Sequence, residues 1–283
     1  MKVFRYNETK GERFMKLKIL MDNHTEIDVY YLGEPAVSYW IEAEGKSFLF
    51  DAGYSEAFLK NARDMEIDIT KAEAILLSHS HNDHTGGLKP LLELDFQKKP
   101  QFFAHPDALL PHDWNGMDIG SPVSERELAE KFELHLTKAP VWLTEKLVWL
   151  GEIPRTQAFE PAYAIGTVEK DGEKQEDYIM DDTALAYVGE NGLSIITGCS
   201  HAGICNIIEY AKKLTGVQKV QSVLGGFHLF DVDERAKATI AYLKEEKIPE
   251  LYPCHCTSFA VRAALHAEAP VKEVAVGTEL EWK

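Results

Sequence analysis

The chain has 283 residues, of which 45% are hydrophobic and 27% are charged. This composition can build a buried core, and it excludes a disordered, collagen-like or disulfide-scaffold protein. There are 30 basic and 46 acidic residues, which leaves a formal net charge of −16. A chain this acidic offers no basic surface that could displace counterions from a nucleic acid, so we expect neither nucleic acid nor a membrane as a partner.

No segment of the sequence predicts a membrane span or an export signal. The longest stretch without charged residues, 191–208, contains several polar side chains, and charges are spread through the first twenty-one residues. The four cysteines are too few for a disulfide framework. We therefore expect a cytoplasmic protein, and we leave open that copies of the chain associate.

Residues 1–14 are polar and aperiodic, and we predict that they extend a single domain of residues 15–283. In the first part of this domain, apolar runs with alternation predict strands, and helical periodicity predicts helices between them. The predicted strands are residues 16–21, 36–43, 47–51, 74–78 and 101–105, and the predicted helices are residues 56–65 and 86–94.

Residues 106–172 mix loops, a helix that Ser124 and Glu127 open as a capping box, and two short strands. We interpret this segment as an insertion over the surface. After it, strands and helices alternate again, which indicates one interlocked α/β domain. The predicted strands are residues 183–188, 193–197, 219–224 and 250–253, and the predicted helices are residues 204–215, 233–247 and a last one from Ser258.

The motif SHSHNDHTGG follows an apolar strand and brings together His79, His81, Asp83 and His84. His79 and His81 are two residues apart, so in an extended segment both imidazoles leave from one face and can hold one ion. A turn before the two glycines would present Asp83 and His84 to a second ion. Imidazole and carboxylate ligands suit zinc, with manganese or iron also permitted, and without a thiolate cage they predict an open site.

Three more histidines, His201, His228 and His255, each follow a predicted strand. The carboxyl ends of strands in an α/β sheet meet at one edge, so these side chains can join the first cluster. A structural, hydrogen-bonded role stays open for each of them, and most of all for His228. The other histidines lack this context and are interpreted as surface or packing residues: His24, His105, His112, His135 and His266.

Six separated motifs carry a resemblance to a known family: LMDNHT, FDAGYS, SHSHNDHTGG, GCSHAGICN, GGFHL and CHCTSFA. The chain resembles the metallo-β-lactamase-fold superfamily from Met15 to its end, and within it the branch typified by an archaeal dihydropterin synthase. The resemblance implies an αββα sandwich, in which two mixed β-sheets are flanked by helices, with a dinuclear site at one edge. Periodicity by itself indicates only a mixed α/β fold.

The resemblance also implies roles for individual residues. The implied ligands are His79 and His81 for a first metal, Asp83 and His84 for a second, and His255 as the last motif histidine. Asp51 matches an aspartate that supports the metal-binding loop in the superfamily without binding the metal itself.

The chain departs from the superfamily pattern in two places. Many superfamily hydrolases have an aspartate that bridges both ions at the position of Cys199. The upstream third-motif histidine is also missing, and Asp181 and Asp182 stand in its place. We infer that His201 replaces the missing imidazole, and we leave open whether Cys199 or a water molecule bridges the metals.

We predict a dinuclear, metal-dependent hydrolase whose activated water attacks a small anionic metabolite, phosphate-bearing or pterin-like. Asp83 would bind metal and orient the nucleophile, and His228 would protonate a leaving group or hold a phosphate. Thr257 and Ser258 precede the last helix and are candidates for anion binding, although helix capping explains them equally well. Trp114 is a candidate for an aromatic wall over the metals, with local packing as the alternative.

Three rival functions remain open at this stage. A reactive thiol at Cys199 would leave the histidine cluster unexplained. A di-iron redox protein would use more carboxylate ligands and a flavin-binding partner domain. A metal-binding sensor could retain the ligands without turnover. The net charge disfavours a nuclease.

Overall fold

The computed structural model describes residues 14–283, so the predicted extension lies outside the described residues except for Phe14. The elements up to the middle of the chain are β1 (Met15–Met21), β2 (Ser38–Ala43), β3 (Lys46–Phe50), α1 (Ala57–Asp64), β4 (Ala74–Leu76), α2 (Asn82–Thr85), α3 (Leu88–Leu91), β5 (Gln101–Ala104), β6 (His112–Trp114), β7 (Met117–Asp118), α4 (Glu125–Lys131), β8 (Glu133–Leu136), β9 (Val141–Trp142) and β10 (Leu147–Trp149), with a short 3₁₀ turn at Ile69–Lys71.

The remaining elements are β11 (Thr167–Lys170), β12 (Glu173–Glu176), β13 (Ala184–Gly189), β14 (Gly192–Thr197), α5 (Ile204–Thr215), β15 (Val220–Gly225), α6 (Glu234–Glu246), β16 (Glu250–Pro253), α7 (Phe259–His266) and β17 (Glu279–Trp282). Among residues 14–283, no helix combines the length and apolar character that crossing a bilayer would require.

The strands form two large mixed sheets and one small sheet. The first has the order β17-β1-β2-β3-β4-β5-β8 and is parallel from β3 to β8. The second has the order β16-β15-β14-β13-β10-β9 and is parallel from β16 to β14. The small sheet, β12-β11-β6-β7, is antiparallel.

Successive strand residues serve different layers, because side chains alternate between the two faces of a sheet. In β14, Ile196 packs between the two sheets, whereas Ile195 packs with residues of α5 and α6. In β3, Phe50 faces the space between the sheets, whereas Leu49 packs with residues of α1 and α4. Helices therefore cover both outer faces, and the αββα sandwich is confirmed.

Residues 106–172, interpreted from the sequence as a surface insertion, divide between the core and the surface. In this segment β8 completes the first sheet, and β9 and β10 complete the second. Trp149 of β10 is fully buried between the sheets because its strand pairs with β13 in the centre of the molecule. Only β6, β7 and β11 lie outside the sandwich, in the small sheet.

Replacing Trp149 by phenylalanine tests the inter-sheet core. The indole Nε1 donates a hydrogen bond to the carbonyl of Leu77, 3.1 Å away, just before the histidine motif. Loss of this bond and of buried volume should lower the free energy of unfolding by about 2–4 kcal/mol, measured as a lower urea midpoint at unchanged m-value. The matched control is Trp142→Phe, because Trp142 is 46% exposed; an equal loss in both variants would contradict the expectation.

Candidate metal centre

The functional side chains follow strands of both large sheets. They are Asp51 after β3, His79 and His81 after β4, Cys199 and His201 after β14, His228 after β15, and His255 after β16. Several of these strands are parallel neighbours within their sheet. The carboxyl ends of parallel strands lie at the same edge of a sheet. Residues up to 204 positions apart in sequence, from Asp51 to His255, can therefore approach one another.

His79, His81 and His201 form a first cluster of buried imidazoles. The ring centroids lie 4.7 Å apart for His79 and His81, and 4.8 Å apart for each of these rings and His201. Burial lowers the pKa of all three side chains, so the rings are neutral near pH 7. A neutral imidazole has a nitrogen lone pair that can bind a metal.

Several nitrogens of this cluster have no hydrogen-bond partner within residues 14–283. They are Nε2 of His79 and of His81, and both nitrogens of His201. Buried polar atoms are almost always paired, and a group of unpaired nitrogens aimed at one another is unfavourable without a shared ligand. The cluster therefore fits a divalent cation.

Asp83, His84 and His255 form a second cluster beside the first. Asp83 Oδ2 lies 3.5 Å from His84 Nε2 and 3.2 Å from His255 Nε2. Burial opposes protonation of His84, but the charges of Asp83 and Asp51 outweigh it and raise the pKa of His84 well above its usual value. The carboxylates of Asp83 and Asp51 thus make the second cluster strongly attractive to a positive charge.

Cys199 lies where the two clusters meet. Its Sγ is 3.2 Å from His84 Nε2, and it lies within 4.8 Å of donor atoms from both clusters. Burial raises the pKa of this thiol well above its usual value. Cys199 thus occupies the part of the site where a bridging ligand would lie.

A buried carboxylate orients one histidine of each cluster. Asp51 Oδ2 accepts hydrogen bonds from Ser78 Oγ at 2.6 Å and from His84 Nδ1 at 2.7 Å. Because the Ser78 hydroxyl donates to Asp51, its oxygen accepts from His79 Nδ1 at 2.9 Å. The Nε2 atoms of His79 and His84 therefore both point into the site.

His255 is held by the loop after β1. Asn23 Oδ1 lies 3.0 Å from His255 Nδ1, and Asp22 Oδ1 accepts the backbone N–H of His255 at 3.1 Å. The amide oxygen can only accept, so His255 Nδ1 donates and Nε2 is free to bind on the side of Asp83.

The backbone is strained at four residues of the site. Asp51, Ser200, His228 and His255 have φ angles of 58°, 61°, 47° and 50°. A left-handed conformation costs a non-glycine residue about 1–2 kcal/mol. Such strain clusters at functional sites, where the surrounding fold holds it in place.

Asp181 and Asp182, which stand where the superfamily has a histidine, hold the loops of the site. Asp181 Oδ2 accepts the N–H of Ser80 at 2.7 Å, and Asp182 Oδ2 accepts the N–H of Ala202 at 2.9 Å. Both acceptors lie next to residues of the first cluster. His201 lies with His79 and His81, the position that the sequence predicted for the missing imidazole.

His228 lies at the outer side of the first cluster, with its ring centroid 4.2 Å from that of His201. Its Nδ1 is 2.6 Å from the hydroxyl of Tyr163. Burial lowers the pKa of His228 to about 3, so the ring is uncharged near neutral pH. An uncharged ring favours a hydrogen-bonding role for His228 over the protonation of a leaving group, the other role that the sequence left open.

The predicted anion-binding hydroxyls serve the local fold. Thr257 is buried, and its Oγ1 accepts the N–H of Phe227 at 2.9 Å. Ser258 is the N-cap of α7, and its Oγ accepts the N–H of Val261 at 3.2 Å. Helix capping, the alternative considered from the sequence, thus describes what Ser258 does.

Trp114 is 45% exposed and lies in the β6–β7 hairpin. This hairpin contacts the histidine motif, because the N–H of Asn82 donates to the carbonyl of Ile119 at 2.8 Å. The aromatic side chain is therefore on an element that borders the site.

The remaining predicted packing histidines lie outside both clusters within the described chain. Two of them form polar pairs: His105 Nε2 lies 3.1 Å from Glu152, and His112 Nδ1 lies 2.6 Å from Asp177. The sequence analysis did not single out Tyr163 or Asn23. Tyr163 lies in a loop without a motif, so no local signal distinguished it, whereas Asn23 lies in the motif LMDNHT, which carried the resemblance but no role for this side chain.

Comparison with known proteins agrees with this architecture. Residues 32–99 match the family described as the metallo-beta-lactamase superfamily. A 7,8-dihydropterin-6-methyl-4-(beta-D-ribofuranosyl)-aminobenzene-5'-phosphate synthase of Methanocaldococcus jannaschii is 32% identical, over 87% of this chain and 88% of that protein. An uncharacterized protein of the same organism is 34% identical, over 86% and 91%.

A crystal structure of a metal-dependent hydrolase of the beta-lactamase superfamily has a TM-score of 0.80 at 26% identity, covering 94% of this chain and 98% of that one. The chain belongs to the metallo-β-lactamase superfamily. Within the superfamily, it is similar to the archaeal dihydropterin synthase over most of its length.

Replacing His112 by glutamine tests the ion pair that joins the β6–β7 hairpin to Asp177. Burial lowers the pKa of His112, but the hydrogen bond to Asp177 and the charges of Asp181 and Asp177 together outweigh it and raise the pKa above 6.5. Because the pKa of His112 is higher in the folded than in the unfolded state, its protonation stabilises the folded state fully below about pH 6.5. This stabilisation is lost as the pH rises through the pKa of the folded state. We therefore expect His112→Gln to lower the free energy of unfolding more at about pH 5.5 than at about pH 9.

Urea unfolding at the two pH values measures this difference. The control is His266→Gln, because His266 is exposed at the end of α7. A loss of stability in His112→Gln that is the same at both pH values would contradict the role of the ion pair.

Proposed function

We propose that the protein is a dinuclear metal-dependent hydrolase that acts on a small anionic metabolite. The observation that carries this proposal is the convergence of six donor side chains, with several buried nitrogens that have no partner within residues 14–283. The six donors are His79, His81, Asp83, His84, His201 and His255.

In this proposal the first cluster of three imidazoles holds one divalent ion, and the second cluster of Asp83, His84 and His255 holds the other. Three protein ligands for each ion leave open coordination positions, as catalytic sites require. Imidazole and carboxylate donors suit zinc best, with manganese or iron also permitted. Cys199 is positioned to serve both ions.

Divalent ions in such a site supply Lewis acidity and a water molecule with a lowered pKa. The protein contributes positioning and charge. Asp83 is a carboxylate with an oxygen 3.2 Å from His255, and it orients the nucleophile. In this proposal the Tyr163 hydroxyl donates to Nδ1 of His228, so the Nε2–H of His228 donates to an anionic oxygen of the substrate.

A second candidate is a group transfer related to that of the archaeal relative, which is a synthase. The 32% identity over most of both chains favours a phosphate-bearing or pterin-like substrate for either candidate. The two candidates share the metal centre and differ in the acceptor, which is water in one and a second metabolite in the other. Trp114, on the hairpin beside the histidine motif, is an aromatic surface for such a ring.

The variant His81→Ala tests the proposed function. We expect the wild-type protein to retain or rebind about two equivalents of zinc or another divalent transition metal, and to hydrolyse at least one of a generic phosphodiester and a generic ester. His81→Ala should bind less metal and lose turnover, because an imidazole of the first cluster is removed. Elemental analysis and initial-rate assays measure both quantities.

The matched control is His266→Ala, which removes an exposed histidine outside both clusters. Full metal content without turnover on either substrate would instead favour a sensor. An iron-dependent redox signal would favour a di-iron protein. Release of product only when a second metabolite is added would favour the group transfer.

The variant Asp51→Asn tests the orientation of the histidines. An amide nitrogen facing His84 Nδ1–H would place two donors against each other, and the ring would turn its lone pair away from the site. We expect zinc affinity to fall by about 10–100-fold while the protein stays folded. Competition with a chelator measures the affinity, and Asp64→Asn, on the exposed carboxylate of α1, is the control. Unchanged affinity in Asp51→Asn would contradict the orienting role.

A further inference from the structure

A line of side chains leads from the first cluster to a pair of arginines. The rings of His201 and His228 are 4.2 Å apart, and His228 Nδ1 is 2.6 Å from the Tyr163 hydroxyl. The guanidinium carbon of Arg235 lies 5.0 Å from the centre of the Tyr163 ring. Arg235 is the second residue of α6, so a rigid helix carries it.

Arg155 approaches the same place from the loop after β10. Its Nη2 donates to the carbonyls of Tyr178 and Ile179, at 2.6 and 2.8 Å, which anchors the guanidinium group. Burial lowers the pKa of Arg155, and the charges of Asp182 and Arg235 both act on it. Arg155 and Arg235 therefore lie in the same part of the molecule.

Neither arginine has a carboxylate partner within 4.0 Å among residues 14–283. Nε and Nη1 of Arg155, and Nε of Arg235, are buried donors without a hydrogen-bond partner in this part of the chain. Buried guanidinium donors without hydrogen-bond partners are unfavourable, even though the charge of Asp182 acts on Arg155 and Arg235 interacts with Glu160. An anion held by these donors would supply the missing hydrogen bonds.

We propose that Arg155, Tyr163 and Arg235 form a phosphate-binding subsite beside His228, at the edge of the metal centre. Each guanidinium group can donate two parallel hydrogen bonds to the oxygens of a phosphate, and a phosphate has enough oxygens for two guanidinium groups. A carboxylate has only two oxygens and can pair with one guanidinium group in this way. Tyr163 joins the subsite to the metal centre, because it contacts both His228 and Arg235. This subsite rests on the function proposed above. It narrows the class of substrate to metabolites that carry a phosphate.

Titration of the metal-free protein with inorganic phosphate tests the subsite apart from catalysis. Isothermal titration calorimetry should detect one phosphate per chain in the wild type. Arg235→Gln and Arg155→Gln should each weaken phosphate binding by about tenfold or more, because each removes charge-assisted hydrogen bonds. Arg235→Lys keeps the charge without the planar fork and should give a smaller loss. Circular dichroism and the unfolding temperature report whether each variant is folded.

The matched control is Arg126→Gln, which removes an exposed arginine of α4 and should bind phosphate like the wild type. Acetate is the second probe, and it should bind at least about tenfold more weakly than phosphate. Equal phosphate affinity in the wild type and in both glutamine variants would overturn the subsite, and so would acetate binding as tight as that of phosphate.

The same titration separates the subsite from the proposed function. Phosphate binding that depends on Arg235, in a protein that is inactive after zinc is restored, would support the subsite and contradict the hydrolase. Turnover that depends on His81, in a protein whose phosphate binding does not depend on either arginine, would support the hydrolase and contradict the subsite.

Discussion

The candidate metal centre depends on one buried carboxylate. Asp51 accepts hydrogen bonds from Ser78 and His84, and through the Ser78 hydroxyl it also determines the tautomer of His79. It therefore orients one histidine in each cluster. Because Asp51 is fully buried and has a left-handed backbone, this interaction exists only where the surrounding fold holds it.

The two large sheets supply that support. Side chains alternate along each strand, so the same strands that fill the inter-sheet core also hold the outer helices. At the end of β14 the chain turns through Ser200 with a positive φ, and at the end of β16 it does so at His255. Both turns follow directly on the carboxyl ends of buried strands.

Charge is distributed unevenly around this edge of the molecule. Asp51 and Asp83 make the second cluster attractive to cations, whereas Arg235 lies against Tyr163, which contacts His228 beside the first cluster. A phosphate-bearing substrate would match this arrangement, with its phosphate on the arginines and its reacting centre at the two clusters. The overall charge of −16 gives no indication of this local arrangement.

The sequence alone predicted the mixed α/β class. It also identified the donor side chains of the histidine motif and the strands that His201 and His255 follow. These features depend on spacing and alternation over a few residues, so the chain expresses them locally. Tertiary structure decided the rest, because the deciding contacts join distant residues. Cys199 meets His84 across 115 positions, and Tyr163 meets His228 across 65.

The same reason explains the differences between expectation and structure. Trp149 is a core residue because β10 pairs with β13, a pairing that the composition of residues 106–172 did not indicate. Ser258 and Thr257 bond to nearby backbone, while the unpaired arginines come from a loop and a helix without any motif. Sequence thus determined which donor atoms the strand ends carry, and only the packing of the two sheets decided which of them face one another.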